Sequence, residues 1–188
     1  MAKHGKKGFY EGRVADAIIA LSQSLGGLMT HEDLKAHVST FDDPISVTYK
    51  GVTIHEIPPN GQGITALLGL NLLKSLGPEI PSKFRHNSAE YLHTLIECMR
   101  LAFMDTRYYV GDPAKAHVPV RALLSEEYAA HRTKENFSFK KASVDMQRGS
   151  PFASSDTVYF CVVDEWGNAC SFINSNYMGF GTGLIPEG

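Results

Sequence analysis

Asp156 and Thr157 mark the place in the chain where residue type and surroundings together permit covalent chemistry. A threonine hydroxyl is a weak nucleophile unless a base stands beside it. One way to supply that base is to make the threonine the first residue of a chain, so that its own α-amine takes the hydroxyl proton. That requires a cut between Asp156 and Thr157. Residues 145–156 are turn formers with little to anchor them and read as an exposed loop, whereas residues 157–163 form a β-branched and aromatic run that reads as a buried strand. At such a junction the loop can leave while the strand stays. Threonines also open many ordinary strands, so this pattern alone leaves both readings open.

Other reactive side chains read as structural. Cys98 falls in a helical pattern, and Cys161 and Cys170 fall in strand-like runs where small buried hydrophobes are expected. Three cysteines without paired spacing argue against a disulfide framework and a zinc site, and the eight histidines show no HExxH or close pair, so no metal and no cofactor is expected. Gly61-Gln62-Gly63 is the start of a helix rather than a phosphate loop, because no lysine follows at the needed spacing. His55 is expected at the surface of an alternating strand, Trp166 at a turn, and Asp112, before Pro113, in a side-chain-fixed turn.

The elements that must position these residues alternate in texture. Val14, Ile18, Leu21 and Leu25 predict an amphipathic helix over residues 11–25, ended by Gly26-Gly27. Thr30 with Glu32 and Asp33 opens a short helix ending near His37. Residues 45–49 and 52–57 alternate around Lys50-Gly51 and predict a hairpin. A helix follows over residues 62–75 with Ile64, Leu67, Leu68 and Leu72 inward. A longer one runs from Ser88 to about Tyr109 with Leu92, Leu95, Ile96, Met99 and Phe103 as its buried stripe. Residues 125–133 predict one more helix. The strand over residues 157–163, a turn over 164–168 and a strand over 169–173 predict a second, apolar hairpin that needs a covering layer.

The segment from Thr157 through Val162-Val163-Asp164 to Gly167-Asn168 resembles the start of the small subunit of gamma-glutamyltransferases, and Phe180-Gly181-Thr182-Gly183 continues the likeness. Upstream, Gly26-Gly27-Leu28-Met29-Thr30-His31-Glu32-Asp33-Leu34, Pro58-Pro59-Asn60-Gly61-Gln62-Gly63 and Tyr109-Val110-Gly111-Asp112-Pro113 are similar to pieces of the large subunit, in the same order. The resemblance spans nearly the whole chain. It implies an α+β fold, part of an αββα N-terminal-nucleophile hydrolase sandwich incomplete at both ends. Residues 1–156 then belong to the large-subunit-like region and residues 157–188 to the small-subunit-like region, with the two subunits pairing after cleavage.

The resemblance further implies a precursor that cuts itself between Asp156 and Thr157. Thr157 then attacks the γ-glutamyl carbonyl of glutathione or a similar small-molecule donor and passes the acyl group to water or an amine. Ser175 falls where the family has a threonine that supports the nucleophile by hydrogen bonding. Tyr177 stands where many members have a substrate-contacting asparagine, and Val158-Tyr159 replaces a Thr-His pair, a pattern closer to the gamma-glutamyltransferase-like branch. The family's carboxylate-gripping arginine matches no residue from Met1 onward, and its acidic amine partner and Gly-Gly oxyanion hole match none up to Gly188. Loss of one oxyanion donor costs on the order of 100- to 1,000-fold in turnover, so this chain by itself is expected to be inactive.

The 188 residues carry 18 basic and 20 acidic side chains, a net charge of -2, and the basic residues are scattered, so no nucleic-acid footprint is present. Lys3, Lys6 and Lys7 read as a solvated tail with no apolar run after them, which predicts neither a signal peptide nor a membrane segment and leaves the compartment cytoplasmic or unassigned. Two functional classes compete: a gamma-glutamyl hydrolase or transferase, and a non-catalytic short product that binds a full-length relative through its strand edge. A binding module unrelated to hydrolysis has no phosphate loop, metal motif or aromatic platform behind it.

Overall fold

The computed structural model describes residues 1–142, 157–175 and 181–187, with Thr157, Val158 and Tyr159 described in backbone alone. The chain divides into two compact units, one of Phe41–Gly149 and one of Met1–Thr40 with Ser150–Gly188.

The unit Phe41–Gly149 holds the main core. β1 (Ile45–Tyr49) pairs antiparallel with β2 (Val52–Glu56), with Tyr49 opposite Val52. Lys50 and Gly51 both take positive φ, 49° and 81°, the conformation of a two-residue turn that matches strand twist. The Tyr49 hydroxyl donates to the Ile80 carbonyl at 3.0 Å and fastens this hairpin to the core.

α4 (Gly63–Ser75) is buried almost all round, the expected Ile64, Leu67, Leu68 and Leu72 included. Its polar members are bonded: the Asn71 amide donates to the Leu124 carbonyl at 2.8 Å, and the Ser75 and Thr133 hydroxyls meet at 3.0 Å. Glu56 lies against Gly63 so closely that a Cβ there would meet its carboxylate at 2.6 Å, which sets an acid beside a helix N-terminus.

α5 (Ala89–Tyr109) starts as predicted, with the Ser88 hydroxyl accepting from the Tyr91 amide. Its buried face, however, is not the predicted stripe. Leu92, Ile96, Met99 and Phe103 are exposed and Leu95 is half-buried against the core, while Thr94, Glu97, Cys98, Leu101, Ala102, Asp105 and Thr106 are buried. The face is set by neighbours: α4 and α5 approach closely enough that a Cβ on Gly69 would meet the Met99 sulfur at 2.8 Å, and α7 (Glu126–Asn136) supplies a partner for the buried Asp105. Arg132 grips both Asp105 oxygens, Nη2 to Oδ1 at 2.8 Å and Nε to Oδ2 at 3.1 Å. A paired and hydrogen-bonded carboxylate can be buried where a lone one cannot. α6 (Val120–Leu123), a single turn, precedes α7 and carries no periodic signal in the sequence. The Ala114 amide donates to Asp112 at 2.9 Å, the side-chain-fixed turn that was expected.

In the other unit, α1 (Lys7–Tyr10) turns the basic tail into one helical turn. α2 (Arg13–Ser24) ends in a glycine cap: the Gly27 amide donates to the Ser22 carbonyl at 2.8 Å and the Gly26 amide to the Gln23 carbonyl at 3.0 Å, with Gly26 at φ 79°. Its buried residues are Ala15 and Ile19. The predicted Val14, Ile18 and Leu21 are half-buried and Leu25 is exposed, so the stripe is turned by one residue. α3 (His31–Ala36) begins at Thr30, whose backbone amide and hydroxyl both donate to Asp33 at 2.8 Å and hold that carboxyl below its ordinary pKa, the hydroxyl bond contributing most. β3 (Thr157–Val163) and β4 (Ala169–Ser175) form a second antiparallel hairpin. The expected loop over residues 145–156 lies outside the described residues.

Candidate active site

The turn between β3 and β4 is built on Asp164. Its carboxylate accepts from the Trp166 amide at 3.0 Å, the Asn168 amide at 2.8 Å and the Asn168 side-chain amide at 2.8 Å, while the Asp164 amide donates to the Asn168 carbonyl at 3.0 Å. These donors, the Asn168 side chain foremost, hold the Asp164 carboxyl below its ordinary pKa. Gly167 supplies the positive φ, 83°, that closes the turn, and Trp166 sits exposed at its tip. A turn so fixed leaves one register.

That register runs from Val163 opposite Ala169 to Thr157 opposite Ser175 at the open end. Strand positions alternate between the two faces of a hairpin, so the rungs Thr157–Ser175, Tyr159–Ile173, Cys161–Ser171 and Val163–Ala169 share one face. The rung Phe160–Phe172 belongs to the other face, where the two rings stack with centroids 5.1 Å apart. Positions 157 and 175 are therefore brought together. Asp156 and Tyr177, the other two predicted site residues, lie outside the described residues.

The hairpin was expected to be buried, with Cys161 and Cys170 among its small inward hydrophobes. Both thiols are exposed, as are Val162, Val163, Phe172 and Ile173. The cause is that, among the described residues, β3 and β4 form a sheet of two strands, which has no layer of its own to bury either face. Cys98 is the buried thiol, and burial pushes its pKa up to about 12, which removes it as a nucleophile at neutral pH.

The other perturbed groups are structural. Burial raises the Asp105 pKa against the pull of Arg132, and it raises Tyr128 to about 12. No spacing rule links Asp105 to Arg132, because they sit on different helices, so only the fold reveals the pair. His55 is exposed, as expected, and His31, His93 and His131 pair with Asp16, the Ser138 carbonyl and Glu135. Among the described residues no three His, Cys, Asp or Glu side chains are grouped to hold a metal ion, and no helix is long and apolar enough to cross a membrane. A cleft of about 870 Å³ beside α2, lined by Arg13, Asp16, Ser24, Ile185 and Glu187 among others, contains none of the predicted site residues.

Comparison with known proteins places these features in a family context. Residues 1–188 match the Gamma-glutamyltranspeptidase family. The chain is 36% identical over 184 residues to a glutathione hydrolase-like proenzyme of Bacillus subtilis, YwrD, with 98% of this chain and 34% of that protein covered. It is 32% identical over 189 residues to the glutathione hydrolase proenzyme of Escherichia coli, covering 98% of this chain and 32% of that protein. Among solved structures, the gamma-glutamyltranspeptidase of Pseudomonas nitroreducens, complexed with L-DON, superposes with a TM-score of 0.66 at 29% identity over 76% of this chain and 42% of that one. The chain thus spans about a third of the length of these curated relatives.

Proposed function

Because this chain belongs to the gamma-glutamyltranspeptidase family and shares the α+β fold of its N-terminal-nucleophile hydrolases, we propose that it carries the nucleophile of a gamma-glutamyl hydrolase or transferase, Thr157. The observation that carries this reading is the register that sets Thr157 opposite Ser175 at the open end of the β3–β4 hairpin. In an antiparallel pair, opposed residues are neighbours on one face, within reach of a hydrogen bond between short side chains.

The chemistry begins with hydrolysis of the Asp156–Thr157 amide, which consumes one water and leaves a carboxylate on Asp156 and an amine on Thr157. Residues 1–156 and 157–188 then belong to separate large- and small-subunit-like chains. The Thr157 amine takes the hydroxyl proton as the oxygen attacks the γ-glutamyl carbonyl of a donor such as glutathione. The carbon–nitrogen bond breaks, the proton passes to the departing amine, and an ester remains on Thr157. Water releases glutamate from that ester, or an acceptor amine takes the γ-glutamyl group. Ser175 supports the nucleophile by hydrogen bonding, and Tyr177 contacts substrate. Two of the relatives are named as glutathione hydrolase or glutathione hydrolase-like proenzymes, which supports both the self-cleavage and the donor class.

The test is glutamate release from glutathione by a version of the protein extended to the length of its relatives, because this chain by itself is expected to be inactive. Thr157→Ala is expected to lower kcat by about 10³-fold or more, as loss of a nucleophile does. Ser175→Ala is expected to lower it roughly 10- to 100-fold, the range of a hydrogen bond to a reacting group. Release that survives Thr157→Ala sinks the reading.

A second reading rests on the exposed two-stranded hairpin: its free edges pair with strands of a full-length relative, and the chain acts by binding alone. An uncut chain that releases no glutamate and copurifies with such a relative would favour it.

A further inference from the structure

The sequence between β3 and β4 offers two ways to close the hairpin, and they give different registers. In the structure Asp164 pairs with Asn168, the Gly167 amide donates to the Asp164 carbonyl at 3.1 Å and Gly167 takes φ 83°. This is a three-residue loop ended by a bulge in the left-handed conformation. The competing closure is a two-residue turn on Gly167-Asn168, a dipeptide that suits such turns. It would set Trp166 opposite Ala169 and slip the ladder by three residues. Ser175 would then stand opposite Phe160, roughly 10 Å along the strand from Thr157 and on the other face, because an odd slip exchanges the faces. Side-chain polarity does not decide between the two. β3 is apolar on both faces, with Val158, Phe160 and Val162 on one and Tyr159, Cys161 and Val163 on the other.

We propose that Asp164 and Asn168 are positioning residues for Thr157, selecting from the far end of the hairpin the register in which the Ser175 hydroxyl stands beside it. The inference rests on Thr157 being the nucleophile and Ser175 its support. Three bonds to the Asp164 carboxylate carry the selection: Oδ1 accepts from the Trp166 amide at 3.0 Å and the Asn168 amide at 2.8 Å, and Oδ2 accepts from the Asn168 side chain at 2.8 Å. Hydrogen bonds to a charged acceptor are the stronger kind. The slipped register would place Asp164 opposite Ser171 and forfeit them. All three lie within five consecutive residues, so they do not depend on a layer over either face of the hairpin. Strands added beside β3 or β4 bond to outward-facing backbone groups and leave this clasp in place. Asp164 is seven residues from Thr157, about 23 Å of extended strand, and acts on it through Ser175 alone.

The experiment measures kcat and KM for glutamate release from glutathione, per cleaved molecule, in a version of the protein extended to the length of its relatives. The variants are Asp164→Ala, Asp164→Asn, Ser175→Ala and the double variant of Asp164→Ala with Ser175→Ala. Asp164→Ala removes all three carboxylate bonds and is expected to lower kcat about 10-fold, with KM changed less than about 2-fold. Asp164→Asn keeps an oxygen for the two backbone amides and is expected to recover most of that loss. The double variant is expected to match Ser175→Ala within about 2-fold, because a residue that acts through Ser175 has nothing left to act on. Losses that multiply in the double variant, or an Asp164→Ala enzyme as fast as the wild type, overturn the role of the turn and leave the proposed function standing. If rapid labelling of Cys98 shows that Asp164→Ala has not folded, Asn168→Ala, which removes the Oδ2 bond alone, is carried through the same cycle with an expected loss of about 3-fold. Absence of turnover in the wild type, or turnover that survives Thr157→Ala, removes the proposed function and this inference with it.

Discussion

Residues Phe41–Gly149 and the β3–β4 hairpin hold their apolar side chains in opposite ways. In the first, α4 is enclosed by α5, α7 and the β1–β2 hairpin, and even the polar groups it buries are bonded to partners. In the second, Phe160, Val162, Val163, Phe172 and Ile173 remain exposed on two strands whose geometry is set by one turn and one ladder of backbone bonds. The candidate chemistry sits in the second region. A packed core fixes side chains by exclusion, whereas the hairpin fixes Thr157 against Ser175 through register alone, and register depends on the Asp164 turn.

The contrast can be broken or sharpened by five measurements. The largest expected difference is in thiol labelling. Exposed Cys161 and Cys170 react with a neutral alkylating reagent, while Cys98, buried and raised to about 12, reacts about 100-fold or more slowly in the folded chain. Three equal rates would mean that the core of residues 41–149 is open. The same burial has a consequence for stability. The folded-state pKa of Cys98 lies above the ordinary 9.0, so its contribution is intact below pH 9 and is lost as pH rises from there towards 12, which alkaline denaturant titration would register.

Next in size, Leu101→Ala removes a core side chain only 2% exposed and is expected to cost about 2–5 kcal/mol in denaturant unfolding. Arg132→Ala leaves Asp105 buried without its cation and is expected to cost about 3–5 kcal/mol, with partial relief at low pH where Asp105 takes a proton. Phe160→Ala, on the hairpin, is expected to cost less than about 1 kcal/mol, because 47% of its surface is already in water. A cost as large as that of Leu101→Ala would show the hairpin to be covered in solution.

Much of this was legible in the sequence. α2, α3, α4, α5 and α7 stand within about three residues of their expected spans, and Lys50-Gly51 and Gly26-Gly27 do the turning and capping that their types predict. The face of α5 was not legible. Periodicity selects the largest apolar residues, Leu92, Ile96, Met99 and Phe103, but the fold buries the side that fits against Gly69 and that offers Asp105 to Arg132. A close approach at a glycine and a pair between two helices leave no local pattern. The turns α1 and α6, four residues each, are too short for a period to register.

Of the candidate site, the opposition of Thr157 and Ser175 follows from counting outward along both strands from the turn over residues 164–168, although the expected second strand ended at Ile173, two residues short of Ser175. The exposure of Cys161 and Cys170 does not follow, since an apolar strand sequence carries no information about whether a covering layer is present.

The central claim is that Thr157 becomes the first residue of a chain. Intact mass of the purified protein, with sequencing of any new N-terminus, tests it most directly. The account predicts two fragments whose masses together equal the uncut chain plus one water, the second beginning Thr157-Val158-Tyr159, and a single uncut mass in Thr157→Ala. A wild-type protein that stays in one piece while releasing glutamate from glutathione, or a Thr157→Ala variant cut at the same bond, would contradict it.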